Sequence, residues 1–404
     1  MTANIVALPV RQRPRVFDAT ADQRIMATPY MPQTRKKYLS NVRSMVVKLG
    51  TQLLSDSQKR LDAAFLSQMA QQVQTLRQRG IRVTLVSSGA VGSGMRVLNL
   101  PTRPDNLATL QAVAAIGQPH LMDAWARAFE PMKLSVAQLL LTREDIDDRR
   151  RFLNIRNTIH AVHDLGAIPV INENDTISTD EMSRISFGDN DILAGMVSYA
   201  TQADLLVLLS VVDGLLDEDS HSVRIVPSVQ DAKRLVRREK SALGKGGMDS
   251  KLLAAQMVTS GGDVMVVADG REKNVLPRLL DGEALGTLFL PAEHRLSSRT
   301  RWISSIRPKG KVYVDGGAAE ALVKKGKSLL PAGISRVEGE FERGDCVAIC
   351  APAGEVIGKG LCNYDAATVD QIRGKRSAEV RQMLHDAAYD EVVHRDNMVL
   401  MSRV

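Results

Sequence analysis

The segment "PVINENDTIS", residues 169–178, sets Pro169, Val170 and Ile171 directly against four strongly polar side chains, Asn172, Glu173, Asn174 and Asp175. The apolar half reads as the end of a buried strand. Asn and Asp are common turn residues, so the polar half taken alone fits a plain turn. In an open α/β sheet, however, the carboxyl ends of strands are where ligands bind. The sequence on either side has to decide between the two.

Working outward, strand-like and helix-like segments alternate. Before the opening stretch, "LSVAQLLLT" (134–142) reads as a strand and "RFLNIRNTIHAVHDLG" (151–166) as a helix. After it, "DILAGMVSYATQ" (191–202) reads as a helix, "ADLLVLLS" (203–210) as a strand, "SKLLAAQMVTSGG" (250–262) as a helix and "DVMVVADG" (263–270) as a strand. Further upstream, "SMVVKLG" (44–50) and "IRVTLVSSGA" (81–90) are strands. "ATLQAVAAIGQPHLMDAWARAFE" (108–130) is helical, and Phe65, Met69, Val73 and Leu76 give helical spacing up to Gly80. Strands that are continuous apolar runs, alternating with helices, predict a mostly parallel sheet covered on both faces. After about residue 300 the texture changes to short strands separated by Gly turns, as in "GKVYVDGG" and "SRVEGEFERGDCVAIC". That predicts a small, mostly-β second domain. The segment 296–310 between them reads as a linker.

Composition is that of an ordinary globular chain, 44% hydrophobic and 25% charged over 404 residues. No apolar run approaches the roughly 20 residues of a membrane helix. The three cysteines, Cys346, Cys350 and Cys362, are odd in number and late in the chain, which predicts a reducing, cytoplasmic setting without a disulfide framework. "CVAIC" reads as a strand with small buried hydrophobes rather than a metal site. Of the net charge of +7, residues 1–38 carry +5, while residues 308–404 balance at zero. The basic excess therefore belongs to an N-terminal extension, 1–38, punctuated by Pro9, Pro14, Pro29 and Pro32 and read as largely disordered. It lacks the apolar core of a secretory signal. It is Arg-rich and acid-poor like a transit peptide but has no Ser, and a true start at Met26 or Met31 is a further reading.

Two standard phosphate motifs are absent: there is no G-x-x-x-x-G-K-[ST], and "GAVGSG" (89–94) does not match G-x-G-x-x-G. The alternative device is a set of Gly-rich turns at strand ends. "VVKLG" puts Lys48 at the end of the first strand, and "VSSGAVGSG" puts Ser87, Ser88 and Gly89 where a helix begins. N–H groups at a helix start, approached closely over Gly, favour an anion. "GKGGMDSKLL" (244–253) repeats the arrangement with Lys251 in the first turn. Singly, each has a plain reading: a snorkelling surface Lys48, or an ordinary loop-to-helix turn at 244–253.

Together, "VVKLGTQLL", "VSSGAVGSG", "AAIGQ", "LLLTREDIDDRRRFLNIRNT", "PVINENDTIS", "FGDND", "LLSVVDGL" and "GKGGMDSK" resemble, in order, the glutamate 5-kinases of the amino-acid kinase superfamily. The stretch "GKVYVDGGAAEALVKKGKSLLPAGISRVEGEFERGD" is similar to the PUA domain appended to many of them. The resemblance implies a three-layer αβα amino-acid kinase fold with a mostly parallel central sheet over 39–300, and a small mostly-β PUA-like domain over 308–395. It implies transfer of a phosphoryl group from ATP to the γ-carboxylate of L-glutamate, with Mg²⁺, as the first step of proline biosynthesis. By matching motifs, Lys48 and Lys251 are the transition-state stabilisers, and Asp191 orients them; the plain reading of Asp191 is an N-cap for the helix that follows, a role that can coexist with the first. Asp175 would reach the substrate α-ammonium, with Ser88 and Asn190 as further substrate contacts, and Glu173 as readily structural. ATP contacts fall on Lys48, Ser210, Val211, Lys245, Gly246, Gly247, Met248, Asp249, Ser250 and Lys251. The chain departs from the family at Ser210-Val211, where Thr-Asp is usual, and at Thr51-Gln52, where small hydroxyl residues are common. The resemblance also implies feedback inhibition by proline and a homo-oligomer. Two other readings stand beside this one: a kinase of the same fold acting on another acid, and an RNA-binding or regulatory protein with a dormant kinase fold. The zero net charge of residues 308–404 weighs against RNA, because phosphate binding normally wants a basic surface.

Overall fold

The computed structural model describes residues 32–56, 58, 60–177, 190–216, 221–233, 247–292, 297–384 and 389–401. The larger domain is built on eight strands: β1 (Ser44–Leu49), β2 (Arg82–Ser87), β3 (Val136–Leu141), β4 (Ile168–Glu173), β5 (Leu205–Ser210), β8 (Ile225–Val226), β9 (Val264–Asp269) and β10 (Thr287–Phe289). They lie in the order β3-β4-β2-β1-β5-β9-β10-β8. A two-stranded ribbon of β6 (Leu215–Leu216) and β7 (Ser222–Val223) stands apart. Within the large sheet every pairing is parallel except β9 with β10. From β1 the chain moves outward through β2 on one side and returns as β5 on the other. That reversal opens a crevice at the carboxyl ends of the central strands, the usual place for a ligand.

The strands bury both faces. Along β1, Met45, Val47 and Leu49 enter one apolar cluster with α2 (Ala63–Gln78), α4 (Leu107–Phe129) and α9 (Val275–Leu280). Val46 enters the opposite cluster with α5 (Arg143–Asp147), α6 (Arg149–Asp164), α7 (Asp191–Thr201) and α8 (Gly247–Thr259). Period-two alternation into two separate cores makes three layers. In α2, Met69, Val73 and Leu76 are fully buried, and Asp62 caps the helix by accepting from the Phe65 N–H at 2.9 Å. The helices α3 (Ala90–Val97) and α4 cross through glycines. A Cβ at Gly94 would lie 1.8 Å from the Val113 carbonyl oxygen, and one at Gly117 would lie 1.9 Å from that of Ala90.

The smaller domain has five strands, β11 (Gly310–Val314), β12 (Ile334–Gly339), β13 (Cys346–Cys350), β14 (Val356–Leu361) and β15 (Met398–Leu400), in the order β12-β11-β13-β14-β15. Its own core includes Val312, Leu322, Val347, Ile349 and Val392. As "CVAIC" suggested, β13 is buried along its whole length, and all three cysteines are free and buried. Burial pushes the Cys346 thiol up to about 12 and the Cys362 thiol up to about 11.

Three expectations about boundaries need correction. Residues 1–31 of the N-terminal extension lie outside the described residues, but 32–38 are not unstructured. They form α1 (Pro32–Leu39), whose Arg35 is fully buried and donates to the carbonyls of Arg224 (3.2 Å) and Gly286 (3.3 Å). Backbone carbonyls far along the chain replace the water that the guanidinium loses, a pairing no local pattern encodes. The expected linker, 296–310, contains α10 (Ser298–Ser305), with Ser297 as its N-cap. Its Trp302 and Ile303, with the following Ile306, are buried in the larger domain's core cluster. Finally, β15 pairs antiparallel with β14 and carries the smaller domain past residue 395 to Leu400.

Candidate active site

Four strand ends and three helix starts meet at the crevice. Lys48 is the fifth residue of β1 and is almost fully buried. Ser88 follows β2, and Gly89 then turns the chain into α3 with φ of 107°, a left-handed conformation that favours Gly. Asn172 and Glu173 end β4, both buried, and Asp175 follows two residues on, half-buried. Ser210 ends β5, with Val211 beside it. Asn190 and Asp191 open α7, while Gly247, Met248, Asp249, Ser250 and Lys251 form the first turn of α8. Of the sequence-predicted nucleotide contacts, Lys245 and Gly246 lie outside the described residues, as do residues 178–189 of the segment linking Ile177 to Asn190.

The centre of the site is one carboxylate between two ammonium groups. Lys48 Nζ stands 2.7 Å from Oδ1 of Asp191, and Lys251 Nζ stands 2.9 Å from Oδ2. The Ser250 hydroxyl donates to the same Oδ2 at 3.0 Å. Asp191 is inaccessible to solvent. Burial alone would push its carboxyl up, but Lys48 and Lys251 together outweigh it and hold the group below the ordinary carboxylate range. The three charges sum to one positive charge in a dry place, ready for an incoming anion. Asp191 is the first helical residue of α7, so the capping role suggested for it is not the one it takes; the N-cap position belongs to Asn190.

Asn190 makes no cap hydrogen bond either. Its Nδ2 instead reaches Ser87 O, Ser88 Oγ and Asn172 Oδ1, each at 2.9 Å. Asn172 in turn donates from Nδ2 to Gln118 Oε1 at 2.9 Å. Trp125 Nε1 donates to Ser87 Oγ at 3.0 Å and fixes the other side of that strand end. Sequence reasoning placed Ser88, Asn190 and the motif that begins at Asn172 in the site, but gave no separate part to the Asn172 side chain, to Gln118 or to the Ser250–Asp191 bond. The signal for Gln118 was the motif "AAIGQ", whose final residue is polar on a helix that otherwise packs inward. Asp213, which ends the turn after β5, holds neighbouring chain segments together, accepting from Arg224 (2.8 Å), Ser222 (3.2 Å) and the Gly286 N–H (3.0 Å).

Known proteins resemble this chain along most of its length. Residues 43–269 match the model of the amino acid kinase family, and residues 310–384 match that of the PUA domain. A glutamate 5-kinase of Geobacter sp. (strain M21) is 42% identical over 375 residues, covering 91% of this chain and 100% of that protein. One from Methylococcus capsulatus (strain Bath) is 44% identical over 370 residues, covering 90% of this chain and 98% of its own length. The chain belongs to the glutamate 5-kinase family. Its fold is accordingly the amino acid kinase fold with a mostly parallel sheet, followed by a PUA domain. The glutamate 5-kinase relatives span both domains and align with about nine-tenths of the chain.

Proposed function

We propose that this chain transfers the γ-phosphoryl group of ATP to the γ-carboxylate of L-glutamate, giving L-glutamyl 5-phosphate and ADP, the first step of proline biosynthesis. The observation that carries the reading is the buried Lys48–Asp191–Lys251 cluster at the carboxyl end of the sheet. The accepting carboxylate has an ordinary pKa of about 4.3, so at neutral pH it is already a nucleophile and needs no base. What the reaction requires is alignment, and positive charge around a loosely bound phosphoryl group in transit. Lys48 comes from β1 and Lys251 from α8, so they approach that group from different elements. Asp191 keeps both ammonium groups in place when no phosphate is there to hold them.

Asp175 would take the substrate α-ammonium, and Ser88 and Asn190 the rest of the amino acid. ATP would lie along Ser210, Val211 and residues 245–251, with Lys48 also reaching its phosphates. Among the described residues no three His, Cys, Asp or Glu side chains gather as a metal cage, and Asp191 is already engaged by two lysines. The donor set suits a Mg²⁺ ion carried on the ATP phosphates, which neutralises charge there when bound. Feedback inhibition by proline, a homo-oligomeric state and a cytoplasmic location belong to the same reading. No described helix is long and apolar enough to cross a membrane.

The test is to incubate the purified chain with ATP and Mg²⁺ and follow ADP release, with hydroxylamine present to trap acyl phosphate. L-Glutamate, N-acetyl-L-glutamate and L-aspartate are compared, with and without proline. Glutamate-dependent turnover suppressed by proline is the expected result. A folded chain inert toward all three acids would overturn the reading and favour a dormant kinase acting through its PUA domain.

A further inference from the structure

Gln118 sits in mid-α4, beyond the crossing at Gly117 and before Pro119. It is a polar side chain with 8% of its surface exposed, in a helix face otherwise given to packing. The orientation of its amide follows from the chain of bonds it ends. Ser87 O is a backbone carbonyl and can only accept, so the group 2.9 Å from it must be the Asn190 NH₂. That NH₂ also faces Asn172, which must therefore present its oxygen. The Asn172 NH₂ is then turned toward Gln118, which must present its own oxygen. The last donor, Gln118 Nε2, is buried and meets no hydrogen-bond partner among the described residues. A buried orphan donor destabilises a fold. A methionine of the same length would remove it but would leave the Asn172 NH₂ without its acceptor, so the exchange trades one buried orphan donor for another and the glutamine is distinguished by what it does to Asn172.

We propose that Gln118 is a positioning residue for the amino-acid substrate, an inference that rests on the glutamate reading above. It fixes Asn172, and Asn172 fixes the Asn190 amide against the loop that opens α3. With Asn190 Nδ2 turned inward, its Oδ1 takes part in none of these bonds and is the acceptor left for the substrate ammonium. Ser88 Oγ accepts from Asn190, so its own hydrogen is left to donate to a substrate carboxylate. The polarity of the chain thus matches the polarity of an amino acid, acceptor to ammonium and donor to carboxylate. Gln118 does this without touching the substrate.

Gln118→Met keeps the length and removes both hydrogen-bonding ends. Gln118→Glu keeps an acceptor toward Asn172 and removes the orphan donor. Steady-state constants for glutamate and ATP, calorimetric binding of glutamate, and Tm are measured for the full chain and both variants. Gln118→Met is expected to raise the glutamate KM about tenfold, the loss of one buried hydrogen bond. It should leave the ATP KM within about twofold and Tm nearly unchanged. Gln118→Glu is expected to recover most of the glutamate affinity. An unchanged glutamate KM in Gln118→Met overturns the proposal. So does a parallel rise of both KM values with a fall in Tm, which would mark a packing role only. A wild-type chain inert toward glutamate removes the function and this inference together; an active wild type with an indifferent Gln118→Met removes the inference alone.

Discussion

Lys48 Nζ and Asp191 Oδ1 lie 2.7 Å apart where almost no solvent reaches either side chain. The pair ties the first strand of the sheet to the helix that opens on the far side of the crevice. Removing one partner of a buried ion pair leaves the other uncompensated. Asp191→Asn should therefore loosen both lysines at once and lower kcat at least about a hundredfold, and Lys48→Ala and Lys251→Ala should each lower it by orders of magnitude. Folded variants with near-normal ADP release would rule out this catalytic assignment. The pH consequence has a definite sign. The Asp191 carboxyl is depressed in the folded chain, so its stabilising effect is present above the unfolded value of 3.8 and is lost as pH falls through the lower folded value.

Asp175→Ala should act differently. A carboxylate that meets the substrate ammonium contributes to binding in ground and transition states alike, so its loss raises the glutamate KM with kcat little changed. Initial rates over a wide glutamate range decide this, and an unchanged KM would remove Asp175 from the substrate site.

His163, in α6, supplies a pH effect away from the catalytic cluster. Its Nε2 lies 2.9 Å from Thr84 Oγ1. Burial first, then the positive charge of Arg82, lowers its pKa from 6.5 to about 4. Between those values the unfolded chain binds a proton that the folded chain does not, so stability falls as pH drops from about 6.5 to about 4. Thermal melts across that window should show a shallower decline in His163→Gln than in the parent chain. Identical slopes would mean the ring is protonated in the folded state without penalty.

Much of this was readable in advance, for identifiable reasons. The buried strands announce themselves as apolar runs, and Lys48, Asp191 and Lys251 sit in short motifs whose order along the chain is distinctive. The Gln118–Asn172–Asn190 relay was not readable as a relay, because it joins residues 54 and 18 positions apart through single side-chain bonds and leaves no periodic trace. α10 was mistaken for a linker because Ser, Arg and Lys surround its buried Trp302 and Ile303. Helix α1 was missed because prolines punctuate the segment before it and Arg35, which anchors it together with Leu39, looks like part of a basic tail.

The glycine crossing of α3 and α4 is open to a simple test. Gly117→Ala must push a methyl group into the Ala90 carbonyl or force the helices apart. Overpacking of this kind typically costs about 1–3 kcal/mol. Because α3 begins at the Ser88–Gly89 turn, activity should fall along with Tm. Denaturant melts and glutamate kinetics on one preparation would show whether the two move together.

Cys346 and Val399 belong to the PUA domain by chain position, yet they are buried in the same cluster as Trp302, Ile303 and Ile306. Lys359 of β14 donates to Ile306 O at 3.1 Å, and Arg143 of the kinase domain donates to Ser305 O. The seam between the two domains is a shared interior rather than a hinge. Severing the chain near residue 307 would thus strip the kinase half of a wall of its own core. The two halves are expected to melt in one cooperative transition, so that damage at the far end of the PUA sheet is felt as lost heat resistance of the enzyme.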